Sequence, residues 1–94
     1  MPKLGQKEIK AALADVPDWT KQAAAITRTF QFHDFPAAIR FVDALANVAE
    51  NAEHHPDIDI RWNKVTLTLT THDQGGLTRK DFELAKRLDR LCVG

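Results

Sequence analysis

Along residues 25–32 apolar and polar side chains alternate, with Ile26, Phe30 and Phe32 on one side and Thr27, Thr29 and Gln31 on the other. That period of two predicts a half-buried strand, preceded by a short strand at 19–21 that pairs with it. Ile58, Ile60 and Trp62 alternate in the same way with Asp57, Asp59 and Arg61, and Val65, Leu67 and Leu69 with Thr66, Thr68 and Thr70. The two runs predict a hairpin across Asn63-Lys64. Between the pairs of strands the period changes to that of a helix, with a stripe of Ala38, Phe41, Val42, Leu45, Val48, Ala49 and Ala52. Asp34 is the expected N-cap, Pro36 lies in the first turn where its missing N–H costs nothing, and Pro56 disfavours helical geometry at His55. The helix should therefore end at Glu53 or His54. Ile9, Ala12 and Leu13 predict a short helix over 6–14. Thr78 to Asp81 reads as a capping box, and Phe82, Ala85, Leu88, Leu91 and Cys92 form the apolar side of the helix behind it. The order α-β-β-α-β-β-α, with short antiparallel connections, predicts an α+β two-layer sandwich. Its four-stranded antiparallel sheet carries the helices on one face.

At 94 residues, with Gly and Pro falling between the periodic segments, the chain reads as a single domain over 1–94. Thirteen basic residues balance thirteen acidic ones, so composition supports no broad electropositive surface for nucleic acid or an anionic membrane. The one cysteine, Cys92, can form neither an internal disulfide nor a multi-thiolate zinc site, which points to a reducing compartment. The first residues hold no apolar run of signal-peptide length, and no stretch approaches the roughly 18 apolar residues of a membrane span. The expectation is a soluble cytoplasmic protein.

Chemistry concentrates at the histidines. If Asn63 and Lys64 form the hairpin turn, Ile60 opposes Leu67 and Ile58 opposes Leu69. Extending that register sets His55 opposite His72 and His54 opposite Asp73. From Asp43 to Ile60 there are five acidic residues and no Lys or Arg, and Glu50 lies four before His54, a spacing at which a carboxylate can orient an imidazole. Imidazoles that titrate near neutrality suit acid/base catalysis. Simpler readings accompany this one. His54 and His55 could cap the last helical carbonyls, and His72 could be an exposed turn residue. Asp81 has a structural role as the third residue of a capping box, Trp19 and Trp62 fit core or interface positions, and His33 reads as surface. Three His with a carboxylate could also bind zinc or iron, although HExxH spacing is absent.

The stretch AENAEHHPDIDIRWNKVTLTLTTHDQGGLTRKDFELA resembles the pterin-4a-carbinolamine dehydratase family. That family's pattern runs from an acidic residue through His-His-Pro, Asn-Lys-Val and Thr-His-Asp/Glu to Gly-Leu-Thr/Ser and Asp. The likeness extends back through FQFHDFPAAIRF to cover roughly 19–90. Asp57, Ile58 and Trp62 stand where many members have an acidic residue, an aromatic and Tyr. The resemblance implies dehydration of 4a-hydroxytetrahydropterin to quinonoid dihydropterin, the recycling step behind pterin-dependent aromatic amino acid hydroxylases. It implies no metal or organic cofactor, since pterin is the substrate. By motif position, Glu53, His54, His55, Thr70, Thr71, His72 and Asp73 would line the pterin site, with Glu50, Trp19 and Asp81 in support. His54 and His72 would be the acid/base pair and His55 would position the substrate. The alternative is a non-catalytic pterin-binding or dimerisation/coactivator module, a role some members have.

The resemblance also implies a homo-oligomer, dimer or tetramer, and the fold class agrees: helices on one face leave the other face and two edge strands open. Leu84, off the stripe of the last helix, is the expected contact.

Overall fold

The computed structural model describes residues 2–92. In chain order they form α1 (Gln6–Leu13), β1 (Thr20–Gln22), β2 (Ala25–Gln31), α2 (Phe35–Ala52), β3 (Asp57–Arg61) and β4 (Lys64–Leu69). A 3₁₀ turn (His72–Gln74) and α3 (Arg79–Leu91) complete the chain. The strands make one antiparallel sheet in the order β1-β2-β4-β3, so β2 and β4 are central and β3 is an edge. The α+β architecture and element order are those predicted.

Each element has a local cause. Asp34 accepts a hydrogen bond from the Ala37 N–H at 2.9 Å and Pro36 occupies the first turn of α2, as predicted. Ile26 and Phe30 of β2 and Val65, Leu67 and Leu69 of β4 point to one side, where Ala38, Phe41 and Leu45 of α2 and Phe82, Leu84, Ala85 and Leu88 of α3 meet them in one cluster. Phe30 packs on Phe41 with ring centroids 4.8 Å apart, and Trp19 stands edge-on to Phe30 at 6.2 Å. The opposite face of the sheet is lined with threonine. The Thr29 and Thr66 hydroxyls meet across β2 and β4 at 2.8 Å, an arrangement that satisfies both groups on a face no helix covers.

Two expectations are corrected. The β3–β4 turn uses Trp62-Asn63, not Asn63-Lys64, so Ile60 pairs with Val65 and Ile58 with Leu67. The turn is anchored by Asn63, which is buried. Its side-chain Nδ2 donates to the Phe32 carbonyl at 2.8 Å, and its main-chain carbonyl accepts from the Phe32 N–H at 2.8 Å. Trp62 takes the left-handed conformation (φ 53°) to make the bend, which leaves its ring 68% exposed. Because the slip is even, every side chain keeps its predicted face. Ile58 and Ile60 nevertheless stay exposed, since β3 is an edge strand and contributes nothing to the helix-covered core. Leu84, conversely, is buried at 1% exposure, because the core takes in a wider face of α3 than the stripe defines. It is not a contact surface.

Candidate active site

The site is built where α2 ends, where β4 ends and where α3 begins. At the end of α2 the Glu53 N–H bonds the Glu50 carbonyl at 3.1 Å and the His54 N–H bonds the Ala49 carbonyl at 3.1 Å, with Glu53 left-handed at φ 53°. This pair of bonds is a Schellman closure. These bonds satisfy the Ala49 and Glu50 carbonyls from the backbone, and the Nε2 atoms of both imidazoles bond carboxylates rather than helical carbonyls. Glu53 holds a conformation that ordinarily favours glycine, at a cost of about 1–2 kcal/mol. Such strain is characteristic of functional segments.

The left-handed turn sends the two imidazoles to different partners. His54 Nε2 lies 2.5 Å from Asp81 Oδ1, with the two side chains 11% and 0% exposed. His55 Nε2 meets Glu50 Oε1 at 2.8 Å in the open, the pair being 66% and 78% exposed. Glu50 therefore orients His55 rather than His54, because the chain reverses at Glu53 and brings His55 back over the last helical turn. The exposed pair adds little stability.

Asp81 has the structural role expected of it. Its Oδ2 accepts from the Thr78 N–H at 3.0 Å, completing the predicted capping box, and from the Thr71 hydroxyl at 2.8 Å, while Oδ1 faces His54. A carboxylate with no solvent contact needs such donors, since an unpaired buried charge is strongly unfavourable. Thr71 also holds the next turn. Thr71 and Gly76 exchange backbone bonds at 3.1 and 3.3 Å, and the Gln74 N–H bonds the Thr71 carbonyl at 3.1 Å. Between them the 3₁₀ turn presents His72 and Asp73 to solvent and closes through Gly75 at φ 75°.

The β ladder ends at Asp57 and Thr68, so His55 is not a strand partner of His72, nor His54 of Asp73. What joins the two segments is Asp81, bonded to His54 and to the residue before His72. Thr70 donates to the Ala24 carbonyl at 2.6 Å, tying the end of β4 to the β1–β2 turn. Trp19 is a buried core residue whose indole N–H donates to Asp89 at 2.8 Å. Asp89 also takes Arg28 at 2.6 Å. Asp89 stands eight residues after Asp81 on α3, about 12 Å along the helix. Nearby, burial pushes the Cys92 thiol up, with Arg28 opposing and Asp89 reinforcing the shift.

The roles of Thr71 and Thr78 hydroxyls escaped sequence reasoning, although Thr78 was legible as an N-cap. Its buried hydroxyl, 2.9 Å from that of Thr71, accepts from the Lys80 N–H at 3.2 Å. Among the described residues no three His, Cys, Asp or Glu side chains converge as a metal-ligand set, and no helix is long and apolar enough to cross a membrane.

A four-stranded sheet under helices, with a buried carboxylate bonded to an imidazole and to the residue before an exposed histidine turn, defines a small α+β protein. The chain belongs to the family described as Pterin 4 alpha carbinolamine dehydratase, whose pattern matches residues 2–91. A provisionally named pterin-4-alpha-carbinolamine dehydratase of Roseiflexus sp. (strain RS-1) is 56% identical over 89 residues, spanning 95% of this chain and 96% of that one. One of Chloroflexus aurantiacus (strain ATCC 29366 / DSM 635 / J-10-fl) is 56% identical over 91 residues, 97% and 98% of the two chains. A crystal structure described as a transcriptional coactivator/pterin dehydratase from Brucella melitensis superposes with a TM-score of 0.92 at 35% identity, over 96% of this chain and 98% of the other. A pterin dehydratase-like protein described as a RuBisCO assembly factor in the alpha-carboxysome gives 0.66 at 25% identity, over 81% and 88%.

Proposed function

We propose that the protein is a 4a-hydroxytetrahydropterin dehydratase, a hydro-lyase that converts pterin-4a-carbinolamine to quinonoid dihydropterin and water by histidine acid/base catalysis. The observation that carries this reading is the His54–Asp81 pair set next to the turn that bears His72. In the reaction the C4a–O bond breaks as the hydroxyl oxygen takes a proton and leaves as water. The N5–H proton departs and its electron pair forms the C4a=N5 bond, so one group that gives a proton and one that takes a proton complete the step. His54 and His72 fill those two roles, and His55, held by Glu50, positions the substrate. The exposed carboxylates of Glu53 and Asp73 flank the histidines and suit the donor-rich 2-amino edge of a pterin, while the backbone at Thr70 and Thr71 fixes the ring plane.

Pterin is the substrate, and the scheme has no step for a metal or organic cofactor. The reaction belongs to tetrahydrobiopterin recycling in the cytoplasm, serving an aromatic amino acid hydroxylase. The protein acts as a homo-oligomer, dimer or tetramer. A second reading, a non-catalytic binding or coactivator module, draws on what the two structural relatives are described as doing. The retention of all three histidines, with His54 and His55 each partnered by a carboxylate, favours catalysis. The deciding experiment generates the carbinolamine chemically and follows its loss. Turnover above the uncatalysed rate supports the dehydratase. Tight pterin binding with a rate equal to background supports the module.

A further inference from the structure

We propose that Thr71 is a positioning residue that fixes His54 as the tautomer protonated at Nε2, so that Nδ1 is the nitrogen His54 presents to substrate. The inference rests on the dehydratase reading for its kinetic consequence and on geometry alone for its tautomer.

The direction of every bond in the cluster can be assigned. Asp81 is fully buried; its Oδ2 accepts from the Thr78 N–H and the Thr71 O–H, and its Oδ1 faces His54 Nε2. Thr71 has only one hydroxyl hydrogen, and it is spent on Asp81, so the 2.9 Å contact between Thr71 Oγ1 and Thr78 Oγ1 must be donated by Thr78. The Thr78 oxygen in turn accepts from the Lys80 N–H. The chain therefore runs one way, from the first turn of α3 through Thr78 and Thr71 to the carboxylate. A carboxylate that only accepts requires a proton on the facing nitrogen, which is Nε2 of His54.

That leaves Nδ1. No protein group bonds it among the described residues, and it is absent from the buried unpartnered atoms, so it reaches solvent. A neutral His54 thus offers an accepting lone pair at Nδ1, and a protonated one offers a donor at the same atom. Thr71 further anchors the turn that carries His72 through its backbone exchange with Gly76. One residue ties both imidazoles to the same frame. Without its hydroxyl, Oδ2 keeps a single donor and the carboxylate can rotate, which loosens the alignment at Nε2. Displacements of about 1 Å in such a supporting group can cost roughly 100-fold in rate.

The test uses ¹⁵N-labelled full-length protein and two-bond ¹H–¹⁵N spectra of the imidazoles, recorded where they are neutral, together with dehydration kinetics. The wild type should show His54 protonated at Nε2. Thr71→Val should give a mixture of His54 tautomers and a kcat lower by about 10- to 100-fold with KM little changed, while Thr71→Ser restores both. If Thr71→Val does not fold, Thr71→Ala carries the same comparison. A wild-type His54 protonated at Nδ1 overturns the proposal without any variant. So does a folded Thr71→Val with unchanged spectrum and kcat, or a Thr71→Ser that behaves like the valine. A wild type that shows the Nε2 tautomer yet has no turnover overturns the dehydratase reading and leaves the assignment of Thr71 standing.

Discussion

His54 and Asp81 lie 27 positions apart in the chain and meet Nε2 to Oδ1 at 2.5 Å, with the carboxylate shut off from solvent. The bond joins the end of α2 to the start of α3 and makes the same carboxylate a helix cap and the support of an imidazole.

That double duty separates His54 from His72 in stability. His54→Ala removes one of the donors to a buried carboxylate and should destabilise the protein by about 1–3 kcal/mol. His72 is exposed on its turn, and His72→Ala should stay within about 0.5 kcal/mol of the wild type. Urea unfolding of both variants checks this, and equal stabilities would argue that the His54–Asp81 bond is absent in solution.

Glu53 supplies a test of stored strain. Glycine at a left-handed position removes the penalty on a side chain, so Glu53→Gly should raise stability by about 1 kcal/mol. If the carboxylate also binds the 2-amino edge of pterin, the same variant should raise KM. Denaturant midpoints and steady-state kinetics on one preparation read both effects.

Acid/base dehydration predicts indifference to metal. Excess Zn²⁺ or EDTA should leave turnover and melting temperature unchanged. A melting temperature that rises with stoichiometric zinc, or inactivation by chelator that metal reverses, would restore the metal reading.

Self-association is expected at the β3 edge, where Ile58, Ile60 and Trp62 are 41%, 37% and 68% exposed and the strand has a free hydrogen-bonding side. Sedimentation at low micromolar concentration should give a dimer or tetramer, and Ile60→Lys should shift it toward monomer. Leu84→Ala should instead cost about 2–5 kcal/mol of stability, as a core residue does. A wild-type monomer would contradict the expectation.

The sheet and helices were legible because period-two and period-3.6 stripes map directly onto buried faces, as at Ile26 and Phe30 or Phe41 and Leu45. Asp34 and Thr78 announced the starts of α2 and α3 by side-chain chemistry that acts locally. The turn at Trp62-Asn63 was not legible, since it depends on Asn63 docking onto Phe32, a contact distant in sequence. The same limit hid the exchange of partners at α2: spacing alone joined Glu50 to His54, whereas the left-handed Glu53 redirects His54 to Asp81 and His55 to Glu50. The strand register that would set the histidine motifs opposite one another stops at Asp57 and Thr68, and the link that is present runs from His54 through Asp81 to Thr71. That link needed three dimensions.

The central claim is that two imidazoles, one held by Asp81 and one on the 3₁₀ turn, carry the proton transfers. Dehydration of chemically generated 4a-hydroxytetrahydropterin, measured for the wild type, His54→Ala and His72→Ala with folding verified by circular dichroism, tests it most directly. Each single variant should be slower than the wild type by about 100-fold or more. Wild-type rates in both folded variants would contradict the account.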